Sequence, residues 1–463
     1  MLDDMLDYVS QIRQRPVWQP APESVEQVFK TAIPSEPKSL SAAHDLFMQN
    51  ILPYAVGNAH PGFMGWVHGG GSVVGMLSEM LASGLNSNLG GRDQIPIQVE
   101  QQVVRWMQQL FSFPEAASGL FVTGSSMANL IGLLVARTAK IGTEVRPLGL
   151  QKVDQVLTAY TSCDGHSCLE RAMEIAGMGG NQLRKIAVNS GHQMNLQLLQ
   201  ESIAVDQAAG LTPFCVIGTA GTVNVGAIDD LQGIAEIARR EGLWFHVDGA
   251  GGALGMMSPS IATKMHGIQA ADSIALDFHK WGQVPYDAGF VLVRDSRLHQ
   301  DTFTSPAAYL RRETRGMAAG SPWPCDFGPD LSRSFKALKV WFTMQVYGMD
   351  RLARMMERTC ELATYLSCRI EECEELELLA PVSLNIVCFR YRRDDADEVN
   401  AKLVVAVQES GIAAPSSTIV DGKFAIRAAI FNHRTTQLEI DDLFQATLRF
   451  GRTLSQTGSV ATR

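Results

Sequence analysis

Two residues of this chain could do chemistry by virtue of their type and setting: Asp248, near the end of LWFHVDGAGG, and Lys280, in the turn of ADSIALDFHKWGQVPYDAGFVLVR. Lys280 lies between an apolar strand expected at 273–276 and a second at 288–293. A charged amine there needs a partner, a depressed pKa or a covalent bond, and each is a device for making it nucleophilic. The chain between positions 248 and 280 is long enough for one strand-to-strand crossover. Brought to one end of a parallel sheet, an anchored carboxylate and a buried lysine match the needs of pyridoxal phosphate (PLP). Asp248 would pair with the pyridinium nitrogen and Lys280 would form the aldimine. The glycines around Ala250 would let a flat ring lie close to the backbone. Singly, an aspartate at a strand end and a lysine in a turn are ordinary, so their neighbours carry the decision.

The stretch FVTGSSMANLIGLLVAR reads as strand, turn and helix. Its helix start, with hydroxyls from Ser125 and Ser126, suits a phosphate, although a hydroxyl-capped helix without ligand has the same pattern. It has neither the Walker spacing and lysine nor the Rossmann glycines. His166, in DGHSCLERA, follows another strand and could stack on a pyridine ring and act as acid or base, or simply cap the next helix. Thr219 and Thr222 offer hydroxyls for a phenolic oxygen or phosphate, and Asp229 and Asp230 read as caps of the following helix. No histidine or cysteine cluster supports a metal site.

Composition sets the bounds. The chain has 463 residues, 46% hydrophobic and 19% charged, too long for one core and well outside the disordered class. A net charge of -9 argues against nucleic acid or an anionic membrane as main partner and favours small molecules. The acidic amphipathic start is not a signal peptide, and no apolar run reaches transmembrane length. Eight scattered cysteines without C-x-x-C pairs are expected to be reduced thiols of a cytoplasmic protein.

Three regions are expected to position these residues. Residues 1–70 form a proline-punctuated helical arm with no core of its own, to be buried on a second subunit. Residues 71–345 hold a mostly parallel sheet, with strands expected near 119–122, 156–160, 185–188, 214–219, 243–247, 273–276 and 288–293. A weakly periodic stretch follows Asp295, as active-site lids do. Residues 346–463 form a small αβ domain, entered through a long helix interrupted near Gly348.

The ordered series HPGFMGW, TGSSMANL, DGHSCLERA, GTAGTVNVGAIDD, HVDGA, DFHKW, SRSFKALKVWF and FAIRAAIFNHRTT resembles the group II PLP-dependent amino acid decarboxylases, the family of aromatic amino acid and glutamate decarboxylases. The pair HVDGA and DFHKW is the specific part. The resemblance implies the aspartate aminotransferase-like fold type I of PLP enzymes, a homodimer with its active site near the subunit interface, and carboxy-lyase activity on an L-amino acid. It implies Lys280 as the aldimine lysine, Asp248 at the pyridinium, His166 stacked on the ring and Ala250 packed against it. Ser125, Ser126 and His279 are implied around the phosphate, and Arg427 at the substrate α-carboxylate, where a guanidinium can orient a leaving carboxylate.

Phe63 and Trp66 suggest an apolar or aromatic pocket, whereas His68 and Arg92 could receive an acidic side chain across the dimer interface. The family's mobile-loop tyrosine has no counterpart in MAAGSPWPCDFG; Tyr309 lies upstream, and Trp323 is no proton donor. Its loss is compatible with decarboxylation coupled to oxidative deamination to an aldehyde. A non-catalytic PLP-binding member is the remaining alternative, but retention of Lys280, Asp248, His166 and Arg427 together argues against it.

Overall fold

The computed structural model describes residues 1–305 and 310–458; Tyr309 lies outside them. Twelve strands occur among the described residues: β1 (Phe63–Met64), β2 (Ser118–Val122), β3 (Leu157–Ser162), β4 (Leu183–Ile186), β5 (Thr212–Thr219), β6 (Trp244–Asp248), β7 (Ser273–Asp277), β8 (Gly289–Val293), β9 (Leu376–Leu378), β10 (Ile386–Tyr391), β11 (Ala414–Val420) and β12 (Lys423–Ala429). The chain forms two compact units, one of residues 74–358 with 382–384, the other of 1–73, 359–381 and 385–463. These lines differ from boundaries at 70 and 345, because the N-terminal segment shares a unit with the C-terminal strands.

The larger unit is built on a seven-stranded sheet in the order β2-β8-β7-β6-β5-β3-β4. Strands β4, β3, β5, β6 and β7 run parallel, and β8 is antiparallel to both β7 and β2. β2, β3, β7 and β8 are buried along their whole length and β6 along all but its first residue, because helices cover a sheet of this kind on both faces. Helix Ser125–Ile141 presses Ile131 and Val135 onto Leu120, Val122, Val291 and Val293, each fully buried aliphatic contributing about 1.5–3 kcal/mol.

Register aligns the strand ends. Thr219 of β5 pairs with Asp248 of β6, and Asp248 with Ala275 of β7. Asp277, at the end of β7, pairs with Gly289 of β8, which pairs in turn with Val122 of β2. Chemistry-bearing residues from distant parts of the sequence therefore share the carboxyl edge of one sheet, where α/β folds bind ligands.

The smaller unit has a five-stranded sheet, β1-β11-β12-β10-β9, antiparallel except that β1 runs parallel to β11. Strands β1, β9 and β11 are not apparent in the sequence: β1 has two residues, β9 three, and β11 (APSSTIV) has a proline as its second residue. Val17 packs with Phe63 and Ala414, and its N–H reaches the Gly411 carbonyl at 2.9 Å. Helix Lys336–Glu371 breaks at Gly348, whose φ of 70° is left-handed.

Gly289 has no room for a side chain: an added Cβ would stand 2.3 Å from Gly124 Cα. Gly289→Ala is expected to lose about 1–3 kcal/mol of stability by overpacking. A denaturant midpoint unchanged from wild type would show that the close approach does not exist.

Candidate active site

Lys280 stands one-fifth exposed at the carboxyl edge of the larger unit's sheet. Its Nζ is 2.9 Å from Oδ2 of Asp277, a residue to which the sequence reading gave no role. The other carboxylate oxygen, Oδ1, accepts the Ser125 N–H at 2.8 Å. One buried aspartate thus ties the lysine turn to the first turn of helix Ser125–Ile141. Burial pulls the Lys280 amine down, but the charge and hydrogen bond of Asp277, with Asp248 further off, hold it above its ordinary value. Burial pushes Asp277 up, and the charges of Lys280 and His279 with the bonds from Lys280 and Ser125 bring it below the ordinary carboxylate value.

His279 sits against the same carboxylate, its Nε2 3.7 Å from Asp277 Oδ1. Its Nδ1 accepts the Ala288 N–H at 3.0 Å. Burial lowers its pKa to about 4 against the pull of Asp277, so the ring is neutral at pH 7 and carries its proton on Nε2. Asp248, nearly inaccessible, accepts the Ala250 N–H at 3.2 Å through Oδ1. His166, exposed at the end of the turn after β3, accepts the Cys168 N–H at 3.1 Å on Nδ1.

The two aspartates read as caps have separate duties. Asp230 does cap helix Leu231–Glu241, accepting from Gly233 N–H. Asp229 instead takes Met194 N–H at 2.7 Å and Thr219 N–H at 2.8 Å, and burial raises its pKa to about 6. Thr222 accepts the Ala227 N–H and so closes its own turn.

Four hydroxyls near this edge, those of Ser125, Thr161, Ser162 and Thr219, are buried without a hydrogen-bond partner. Buried hydroxyls are ordinarily bonded, so these fit a polar ligand. With a helix start that has no side-chain cap from its own N-cap residue, a lysine and a carboxylate across one strand, the donor set fits a pyridine bearing a phosphate.

A second group of candidate residues belongs to the smaller unit. Arg427, on β12, is buried, and its Nη1 donates to the Trp66 carbonyl at 2.8 Å and to Ser416 Oγ at 3.1 Å. Burial lowers the guanidinium to about 10. Trp66 N–H donates to the same Ser416 oxygen at 3.2 Å. These bonds brace Trp66 in a left-handed conformation, φ 45°, of a kind that costs about 1–3 kcal/mol. Phe63, Trp66 and His68 form an aromatic group with centroid separations of 5.7–6.3 Å, and Trp66 is 57% exposed. The HPGFMGW turn is fixed from far along the chain: Asn432 donates to the Asn58 and His60 carbonyls, and Thr435 to that of Pro61. Arg92 is on the larger unit, its guanidinium 4.6 Å over the buried Trp323 ring.

The pyridoxal-dependent decarboxylase conserved domain matches residues 22–392. The chain is 32% identical over 456 residues to the aromatic-L-amino-acid decarboxylase of Bacillus atrophaeus, covering 95% of this chain and 91% of that protein. It is 30% identical over 410 residues to the L-2,4-diaminobutyrate decarboxylase of Rhizobium meliloti (strain 1021), covering 87% and 80% respectively. The fold matches that of Oryza sativa TDC, solved with PLP and tryptamine, with a TM-score of 0.89 over 98% of this chain and 96% of that one, at 22% identity. The chain belongs to the pyridoxal-dependent decarboxylase family, with the fold type I architecture of PLP enzymes. It is a carboxy-lyase that uses PLP to decarboxylate an amino acid.

The Asp277–Lys280 pair makes a prediction independent of turnover. Asp277→Asn removes the charge that offsets burial, so the Lys280 amine should lose its proton at a lower pH than in wild type. Reductive trapping of a simple aldehyde at graded pH, read at Lys280 by peptide mass spectrometry, gives the midpoint. An unmoved midpoint would contradict the pairing.

Proposed function

We propose that this enzyme decarboxylates an aromatic L-amino acid, with Lys280 as the residue that holds PLP covalently and Arg427 as the residue that takes the substrate's α-carboxylate. The aromatic group of Phe63, Trp66 and His68 carries the choice of substrate, since the peptide that supports the Trp66 side chain is itself bonded to Arg427.

When bound, the cofactor supplies the electron sink for loss of CO2. The chain's own groups do the rest. Asp248 would hold the proton of the ring nitrogen, and Ala250 would pack against the ring. Ser125, Ser126, His279 and Thr219 serve the phosphate and phenolic oxygens. His166 would stack on the ring and act as an acid or base near the substrate. The bond from Cα to the carboxylate breaks, a proton takes its place, and the amine departs. The aldehyde-forming alternative has weaker support, since both relatives at 30% identity or more cited above are decarboxylases.

The working form proposed is a homodimer. Helix Val73–Leu85 buries Gly75, Ser78 and Ala82 while exposing Met80, Leu81 and Leu85, and the arm exposes Phe29, Ile33 and Leu40. Apolar surface of this kind suits a second copy of the chain. A cytoplasmic location agrees with eight cysteines all unpaired, and no helix among the described residues is long and apolar enough to cross a membrane.

Release of CO2 from tryptophan, tyrosine and phenylalanine, compared with glutamate, aspartate and 2,4-diaminobutyrate, tests the substrate. Aromatic substrates should lead, and Trp66→Ala should lower their kcat/KM by about tenfold or more, about 1.4 kcal/mol of transition-state binding. Preference for an acidic or diamino substrate would overturn the aromatic assignment.

A further inference from the structure

A buried chain of hydrogen bonds runs beneath the candidate site and has no part in the roles assigned so far. Trp244 Nε1–H donates to Ser273 Oγ at 2.8 Å, and Ser273 Oγ lies 2.7 Å from His246 Nδ1. His246 Nε2 lies 2.8 Å from Asn129 Oδ1, and Asn129 Nδ2 donates to Cys168 Sγ at 3.4 Å. His246 and Asn129 are both wholly buried. Burial drives His246 down to about 3, so the ring is neutral. Asn129 Oδ1 can only accept, so the single ring proton is on Nε2 and Nδ1 accepts from the Ser273 hydroxyl. Each bond then has one direction, from the indole through to the sulfur.

The chain joins the elements that carry the proposed cofactor groups. Asn129 is on helix Ser125–Ile141, one turn beyond Ser125 and Ser126. His246 is on β6 two residues before Asp248, hence on the same face of the strand. Cys168 opens helix Cys168–Ile175, and its N–H is the group bonded to His166 Nδ1. Burial pushes the Cys168 thiol up to about 11, with the charge of Asp248 acting in the same direction and that of Lys280 against it. The helix and strand can approach closely only because residue 132 is glycine; a Cβ there would meet His246 Cε1 at 2.7 Å.

We infer that Asn129 is a positioning residue for the cofactor, its carboxamide fixing the phosphate-facing helix start, the Asp248 strand and the His166 turn in one mutual arrangement. The inference rests on the PLP site proposed above. Asn129 alone can serve both neighbours, because it offers one acceptor to a neutral imidazole and one donor to a sulfur. An apolar residue of similar volume would fill the space but leave the His246 Nε2–H without its partner and the Cys168 turn untethered.

Cofactor-stripped protein titrated with PLP tests the inference in wild type, Asn129→Leu, Cys168→Ala and Cys168→Ser, following PLP affinity and circular dichroism in the cofactor's visible band. Asn129→Leu and Cys168→Ala should bind PLP at least about fivefold more weakly with an altered band, as expected for loss of a buried hydrogen bond. Cys168→Ser, which keeps an acceptor, should restore both. Variants matching wild type in affinity and band would overturn the inference, as would a fall in melting temperature alone. Wild type that binds no PLP would overturn the site reading itself, a distinct result. If Asn129→Leu does not fold, the Cys168 pair decides.

Discussion

A lysine at the edge of a buried sheet needs a counter-charge, and in this chain Asp277 provides it. Leaving one member of such a pair alone in the interior costs several kcal/mol, so the pair is kept together by the expense of separating it. Asp277 is also the acceptor for Ser125 N–H. The same carboxylate therefore sets the lysine turn against the helix start proposed for the phosphate. Gly289 makes this reach possible by leaving the space beside Gly124 empty.

Parallel strands in register convert this local pairing into a site. Thr219, Asp248 and Asp277 come from three adjacent strands and end at the same edge. Asp229 braces the edge from behind by receiving N–H groups from both Thr219 and Met194. The smaller unit follows a comparable logic with different parts. Long-range bonds from Asn432 and Thr435 hold the HPGFMGW turn, and Arg427 and Ser416 fix Trp66 at its end.

Much of this was legible in the sequence. Each of the seven strands of the larger sheet overlaps a stretch expected from the sequence, and the signal is clearest where the strand is an apolar run buried on both faces, as in β7 and β8. Lys280, Asp248 and Ser125 stood out because their chemistry conflicts with the apolar stretches around them. Asp277 did not, since it reads as the polar end of its own strand and its partners are known only once Ser125 is brought alongside. Asn129 and His246 were hidden for the same reason: each looks like an ordinary polar residue in a helix or strand, and the bond between them spans 117 positions. β1 and β9 are too short for periodicity to register, so the joining of residues 1–73 to the C-terminal strands had no local signature.

The central claim is that Lys280 is the covalent anchor of PLP. Its most direct test is the visible spectrum of purified protein with added PLP, followed by borohydride reduction and mass analysis of the peptide around DFHKW. A visible band in wild type, lost in Lys280→Ala, with the reduced cofactor's mass fixed on Lys280, is the expected result. A band that persists in Lys280→Ala, or a label on another lysine, would contradict the account.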